Sequence, residues 1–424
     1  MTTFAVKFLG CKVSQADAMA ARASLLEAGH AEAPEADAEL HVINTCCITS
    51  EAEAKSRQAV RRSLNGARAV YVAGCAVNLN AERFAQIDPD VNTFVGTAED
   101  VAADMAEKLG ACADLEHDAL VGYRADREPR TRGFVKVQDG CDCHCAYCII
   151  PTVRGPARSR PASGVLAEVR RRVTAGQPEV VMTGISVGDY RDPERGLELG
   201  DLMREVARVD GVRRVRLSSV EVIHVKDSLV SALADEPKLC PHLHIPMQSG
   251  DDCVLKAMGR HYTATEYLEN VAALRRAIPS VNVTTDVIVG FPTEDEPAFE
   301  RTLAALDAAG ITRVHTFSYS PRPGTVAEGL GDRVSAAEKK HRSQRMRGHS
   351  EVRSRHHRLR KLGRGEGVLI DKLAESQSSG YTADYTRCYL PPGWARRGEI
   401  VEVACAELYA DGIRCERVGA GYPQ

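Results

Sequence analysis

The chain has 424 residues, of which 44% are hydrophobic and 27% charged, with a formal net charge of −3 and 14 cysteines. That length suggests about two to four domains of roughly 100–200 residues each, and the composition is that of a soluble globular protein. No apolar run approaches the roughly 18 residues of a membrane span. The start, Met-Thr-Thr-Phe-Ala-Val-Lys, lacks an apolar core and a cleavage site, so neither a signal peptide nor a membrane partner is expected and the expected location is cytoplasmic. In a reducing compartment the cysteines are expected as metal ligands or core thiols rather than disulfides.

Residues 1 to about 125 are expected as a first domain. One pattern repeats three times in it. Phe4–Leu9 reads as a strand ending in Gly10-Cys11, Leu40–Ile43 as a strand ending in Asn44-Thr45-Cys46, and Ala69–Ala73 as a strand ending in Gly74-Cys75. A helix start follows each: Ser14 with Asp17 and Ser50 with Glu53 have capping-box spacing, and Asn80 is a candidate N-cap. The order βαβαβα predicts an open parallel sheet covered by helices. All strands of such a sheet point one way, so Cys11, Cys46 and Cys75 are expected together at its carboxyl edge, where open α/β sheets bind ligands. A shared metal site is the reading this placement favours. Cys47 adjoins Cys46 and must point elsewhere; Cys112 stands in an acidic segment and looks like a bystander.

Asp126–Gly133 reads as a polar linker into a second domain, residues 126–350. Strand-like runs at 134–138, 179–183, 213–218, 242–246, 282–289 and 313–319 alternate with helical stretches at 162–175, 197–209, 224–235, 264–277 and 295–309. Six β/α units predict a partial parallel barrel, since a closed eight-unit barrel usually takes about 250 residues. The first run leads into Cys141-Asp-Cys143-His-Cys145-Ala-Tyr147-Cys148, which is therefore expected at the barrel mouth. Thiolates crowded on a loop make sense when a metal neutralises them. From these eight residues alone an iron–sulfur cluster, a four-cysteine zinc knuckle and a redox C-x-x-C all stand open.

Between Lys339 and Arg364 eleven Lys or Arg and four His face a single acid, Glu351. This stretch, with 351–363 read as a basic connector, is either a solvated helix face or a contact for a polyanion. Residues 364–424 read as a small β domain of short strands punctuated by Gly380, Pro391-Pro-Gly393 and Asp411-Gly412. Such barrels often bind nucleic acid. Tyr381, Tyr385, Tyr389 and Trp394 with Arg387, Arg396 and Arg397 are a candidate stacking-and-phosphate surface, although part of the set is equally expected in the core. Cys388, Cys405 and Cys415 fit strand interiors.

The spacing Cys141-x3-Cys145-x2-Cys148, with an aromatic just before the last cysteine, resembles the radical S-adenosylmethionine (SAM) superfamily. Gly10-Cys11-Lys-Val, Asn44-Thr45-Cys46, Gly74-Cys75, Ile149-Ile150-Pro151, Arg154-Gly155, Arg158-Ser159-Arg160, Thr183-Gly184, Gln248-Ser249-Gly250, Gly290-Phe291-Pro292 and Tyr319-Ser320-Pro321-Arg322 narrow the resemblance to the methylthiotransferases, over nearly the whole chain and with a terminal domain similar to the RNA-binding TRAM module. Leu9–Val13 and Gly380–Tyr385 look most like the MtaB-type branch, which acts on N6-threonylcarbamoyladenosine at position 37 of tRNA. Other branches act on prenylated adenosine in tRNA or on a ribosomal-protein aspartate. Ser14 and Asp384 stand where Asn is usual, and Cys47 and Cys143 are additional thiols.

The resemblance implies that Cys141, Cys145 and Cys148 hold a 4Fe–4S cluster whose open iron binds SAM, with Cys143 a bystander. It implies a second 4Fe–4S cluster on Cys11, Cys46 and Cys75 that carries the transferred sulfur. One SAM methylates that sulfur; another yields a 5′-deoxyadenosyl radical that removes hydrogen from C2 of the adenine. Tyr147, Thr183, Gly184, Glu221, Gln248 and Gly290 are the candidate SAM contacts, Glu221 for ribose hydroxyls. The implied partners are tRNA, a low-potential electron donor and a sulfur donor. A non-enzyme alternative is an RNA-binding protein whose cysteine sites hold structural zinc.

Overall fold

The computed structural model describes residues 2–109 and 131–418; Cys112 and most of the expected linker lie outside these. The first domain is a five-stranded sheet of β1 (Thr3–Phe8), β2 (Ala31–Glu32), β3 (Leu40–Thr45), β4 (Ala69–Gly74) and β5 (Val91–Thr93), in the order β2-β1-β3-β4-β5. Every pairing is parallel. β3 is buried along its whole length, as a central strand covered on both faces must be. The three long strands are those expected. The two edge strands, β2 and β5, are only two and three residues long and leave no alternation to read. The helix caps also differ from expectation. The helix Ser50–Ser63 is capped by Thr49, whose hydroxyl accepts from Ala52 N. The helix Lys12–Glu27 starts directly after Cys11, so Ser14 lies buried in its first turn.

The central domain opens with β6 (Arg132–Lys136) and a short antiparallel pair, β7 (Gln138–Asp139) and β8 (Arg158–Ser159). β9 (Glu179–Thr183), β10 (Arg214–Leu217), β11 (His242–His244), β12 (Asn282–Val289) and β13 (Arg313–Ser318) follow. The strands form two parallel triplets, β10-β9-β6 and β11-β12-β13, joined by parallel bridges Val215↔Leu239 and Ser219↔His244. This is the expected open six-stranded barrel. Its core is one cluster of Val, Leu, Ile and Met from the strands and their helices. β7 and β8 were not legible; they close the loop that carries the cysteine octapeptide.

β14 (Gly365–Lys372), β15 (Ser378–Thr382), β16 (Arg387–Leu390), β17 (Ile400–Tyr409) and β18 (Gly412–Arg417) make a small closed barrel, in the order β14-β15-β16-β18-β17. The helix Ala336–Leu359 leads into it through a short turn, so the expected connector 351–363 is mostly helix. The basic residues from Lys339 to Arg364 divide. Lys339, Arg342, Arg345, Arg353, Arg358 and Lys361 are used in ion pairs within the fold. Lys340, Arg347, Arg355, Arg360 and Arg364 are exposed.

The expected stacking surface is corrected by the docking of the small barrel. Tyr381 and Tyr385 stack on each other, with ring centroids 5.0 Å apart, and Tyr385 stacks on His242 at 5.1 Å. The Arg216 guanidinium lies 4.6 Å from the Tyr385 ring. Arg216 also pairs with Glu179 and donates to Thr382 O and Ala383 O. Two of the aromatics thus join the domains instead of facing solvent. Asp384 lies in the same joint and accepts from His357, Lys361 and Thr382.

Candidate active site

Parallel strands deliver three cysteines to one edge. Cys11 follows β1 at the start of its helix, Cys46 follows Thr45 directly, and Cys75 follows Gly74 and opens the helix Cys75–Leu79. The approach is close. A Cβ on Gly10, whose φ is +113°, would stand 2.9 Å from Cys46 Cβ and 3.0 Å from its Sγ, so only glycine fits there. A Cβ on Gly74 (φ +94°) would stand 2.0 Å from Asn44 Oδ1. Asn44 Nδ2 donates to Ser14 O at 2.7 Å, and Ser56 Oγ bonds both the N–H and the C=O of Cys46 at 3.1 Å. Cys47 turns away, fully buried, with its Sγ 3.3 Å from Cys75 O. Burial pushes the Cys75 thiol up to about 11 against the pull of Arg154, and raises Cys46 as well. Such thiols are inert unless a cation displaces their protons.

The octapeptide is pinned at both ends. Cys141 N donates to Gly155 O, Ala146 N to Met258 O and Cys148 N to Cys145 O. A Cβ on Gly140 (φ +71°) would stand 1.9 Å from Pro156 O. The Cys143 thiol and its N–H, 3.4 Å away, both point at Cys141 Sγ and bring that thiol down to about 7. Burial takes Cys148 up to about 12 and raises Cys145. Among the described residues neither trio holds its three sulfurs within 4.8 Å of one another. One zinc ion with Zn–S bonds of about 2.3 Å would draw them to within about 4 Å. Both donor sets therefore fit a polynuclear cluster better than a zinc knuckle.

Two arginines that the sequence reading had not singled out for a role organise these sites. Arg260 Nη1 donates to Cys145 Sγ at 3.1 Å and forms a two-point pair with Glu221 at 3.0 and 2.8 Å. Arg154 Nε donates to Cys75 Sγ at 3.1 Å, while its other nitrogens reach Asp17 at 2.9 Å and Asp139 at 3.0 Å. Lys136 bonds the same two carboxylates at 2.8 and 3.0 Å. Burial opposes the charge of Arg154, but Cys75, Asp17 and Asp139 outweigh it and its pKa rises. Arg154 ends the short helix Ile150–Arg154 that follows Cys148, so one segment touches both cysteine sites. A cavity of about 270 Å³ lies at this junction, lined by Cys75, Arg154, Asp17, Asp139 and Asn78 among others. Arg322 clamps the domains a second time through Glu53 (2.6 Å) and Ser50 (3.2 Å).

The other expected contacts are spread along the strand ends. Tyr147 packs against the cluster of Phe291, Met258 and Tyr319, and burial raises its hydroxyl pKa. Thr183 ends β9 with its carbonyl accepting from Val137 N. A Cβ on Gly184 would meet Gln138 at 3.0 Å. Gln248 has φ +64°, and its backbone bonds Asp286 O and Ile288 N beyond the end of β11. Gly290 N donates to Glu294 Oε1, and a Cβ there would stand 2.4 Å from Lys339 Cγ; packing alone accounts for the glycine. Glu221 is held by Arg260 instead of standing free.

An open parallel barrel whose first strand leads into a cysteine-rich loop is the arrangement of a radical SAM enzyme, and residues 135–306 match the family model described as "Radical SAM superfamily". The radical S-adenosylmethionine methyltransferase TsrM from Kitasatospora setae shares the fold, with a TM-score of 0.55 at 13% identity over 75% of this chain and 73% of that one. Residues 3–96 match "Uncharacterized protein family UPF0004". The chain is 32% identical over 421 residues to the Thermotoga maritima threonylcarbamoyladenosine tRNA methylthiotransferase MtaB, covering 97% of this chain and 96% of that one. It is 33% identical over 436 residues to the tRNA-2-methylthio-N(6)-dimethylallyladenosine synthase of Alkalilimnicola ehrlichii, covering 98% and 97%. The chain belongs to the radical SAM methylthiotransferase family. That family implies a 4Fe–4S cluster and SAM.

Proposed function

We propose that this enzyme adds a methylthio group to C2 of N6-threonylcarbamoyladenosine at position 37 of tRNA, using two 4Fe–4S clusters. The observation that carries this reading is the pair of cysteine trios at strand ends of adjoining domains, with Arg154, from the segment that follows Cys148, donating to Cys75 Sγ. Cys141, Cys145 and Cys148 hold the SAM-binding cluster; Cys11, Cys46 and Cys75 hold the other. When bound, the clusters and SAM supply the reducing electron, the hydrogen-abstracting radical, the sulfur and the methyl group.

The chain's own residues prepare the chamber. Arg260 donates to Cys145 and Arg154 to Cys75, so each trio has one sulfur facing a fixed guanidinium that favours its thiolate. Tyr147 seals the first site from one side. Glu221, fixed by Arg260, keeps carboxylate lone pairs for ribose hydroxyls, with Thr183, Gly184, Gln248 and Gly290 at neighbouring strand ends setting the shape of the SAM site. The exposed Lys340, Arg347, Arg355, Arg360 and Arg364 are the contact for tRNA phosphates. No described helix is long and apolar enough to cross a membrane; the proposed setting is cytoplasmic, with a low-potential electron donor and a sulfur donor as partners.

Relatives of similar identity named for N6-dimethylallyladenosine support a second reading, in which the prenylated base is the target. Mass spectrometry of tRNA nucleosides from a deletion strain separates the two. Loss of 2-methylthio-N6-threonylcarbamoyladenosine, with its unthiolated precursor accumulating, is expected. Loss of only the prenylated product would assign the second reading, and an unchanged profile in a strain with no paralogue overturns both.

A further inference from the structure

Three thiols outside both trios converge inside the small barrel. Cys388 of β16, Cys405 of β17 and Cys415 of β18 are 0%, 0% and 1% exposed. Their sulfurs lie within 4.8 Å of one another, and no other three-ligand group among the described residues is so tight. Strand alternation accounts for their direction: Cys388 shares its face with Leu390, Cys405 with Val403 and Cys415 with Ile413, all buried in the barrel core. Cys405 and Cys415 are direct register partners across β17 and β18, and Cys388 enters from the opposite side of β18, paired with Ile413. A core needing only small apolar filler has no reason to gather its thiols at one point.

We propose that this trio binds a soft monovalent cation of the copper(I) class in a three-sulfur, trigonal site. Metal–sulfur bonds of about 2.3 Å place three trigonal ligands about 4 Å apart, so the sulfurs need only a small inward shift. Thiolates select copper(I), zinc and iron–sulfur clusters. Structural zinc takes four ligands; the side chains packed against this trio are Val368, Ile370, Leu390, Val403 and Ile413, and the neighbouring carboxylates, Glu366 and Asp384, are both held by Lys361, which leaves no free fourth donor. The trio is also tighter than either of the two trios assigned to clusters. Each sulfur that binds as thiolate releases one proton to solvent; no electron is transferred. Entry is through the β16–β18 seam, which has two register pairs against four or more along every other seam of the barrel. An ion bridging Cys388 to Cys405 and Cys415 closes that seam, so it is expected to raise the thermal midpoint of the protein.

The test uses the full-length protein with its iron–sulfur centres reconstituted, titrated anaerobically with copper(I) against a competing copper(I) chelator. One copper per chain is expected with no loss of iron, three sulfur neighbours at the copper X-ray absorption edge, and a raised thermal midpoint. Cys388→Ala with Cys415→Ala is expected to keep its iron and lose both the copper and the stabilisation; Cys253→Ala, at an exposed thiol, is expected to keep them. Equal copper uptake by the double variant, copper that displaces iron, or a shell of two or four sulfurs would overturn the proposal. Should the double variant not fold, the sulfur count in the unmodified protein decides. A Cys405–Cys415 disulfide in anaerobically prepared protein would likewise overturn it.

Discussion

Arg154 donates to Cys75 Sγ while holding Asp17 of the first domain and Asp139 of the second. Arg154→Met leaves two buried carboxylates with Lys136 as the cation they share. Breaking a buried pair from one side costs about 3–5 kcal/mol, so the denaturation midpoint falls by a corresponding amount. The Cys11, Cys46 and Cys75 site is expected to lose iron first; equal loss from both sites would contradict the assigned contact. Cys143→Ala is expected to keep its iron and Cys145→Ala to lose four irons, checked by anaerobic metal analysis; the reverse would exchange ligand and bystander. Asp384 gives a pH signature. Burial alone would raise its pKa, but the His357 hydrogen bond and the Lys361 ammonium override it and hold the carboxyl well below its ordinary range. A depressed folded-state pKa contributes stability above the unfolded value of about 3.9, and that stability is lost as pH falls through the folded value. Asp384→Asn therefore destabilises at neutral pH, and the gap to the unmodified protein, followed by denaturant titration, closes only in acid below about pH 4.

The helix Ala336–Leu359 and the turn after it separate two uses of positive charge. Six cations from Lys339 to Lys361 are ion-paired within the fold; Lys340, Arg347, Arg355, Arg360 and Arg364 are exposed. Replacing Lys340, Arg347 and Arg355 with Ala is expected to weaken tRNA binding at low salt and to flatten the log–log salt dependence by about 2–3. An unchanged slope would place the tRNA contact elsewhere. Composition announced this helix but only part of its pairing: Lys339, Arg358 and Lys361 use the nearby Asp332, Glu351 and Glu366, whereas Arg342, Arg345 and Arg353 meet Glu294, Glu296 and Asp307, far away in sequence. The same limit explains the other misreadings. Long strands declare themselves by runs of apolar residues, as Leu40–Thr45 and Asn282–Val289 do. β2, β5, β7 and β8, at two or three residues each, carry no period. Thr49 took the cap expected of Ser50 because a one-residue offset leaves the sequence pattern nearly unchanged. The cysteines were legible from local spacing and strand ends. Arg154 and Arg260 were not, since their partners Cys75 and Cys145 lie 79 and 115 residues away.

At the scale of the whole molecule, three domains meet in two joints. One, through Arg154 and Arg322, sets the carboxyl edge of the first sheet against the barrel mouth. The other, through Arg216, Tyr385 and Asp384, fixes the small barrel to the start of the central strands. The proposed two-cluster chemistry requires the first joint, which holds the first sheet's strand ends to the segment that follows Cys148. The most direct measurement is anaerobic iron and zinc content per chain, taken on the unmodified protein and on Cys11→Ala with Cys46→Ala and Cys75→Ala. Two four-iron clusters predict about eight irons, falling to about four in the triple variant, with no zinc. Stoichiometric zinc without iron, or an iron count that the triple substitution does not change, would contradict the two-cluster account.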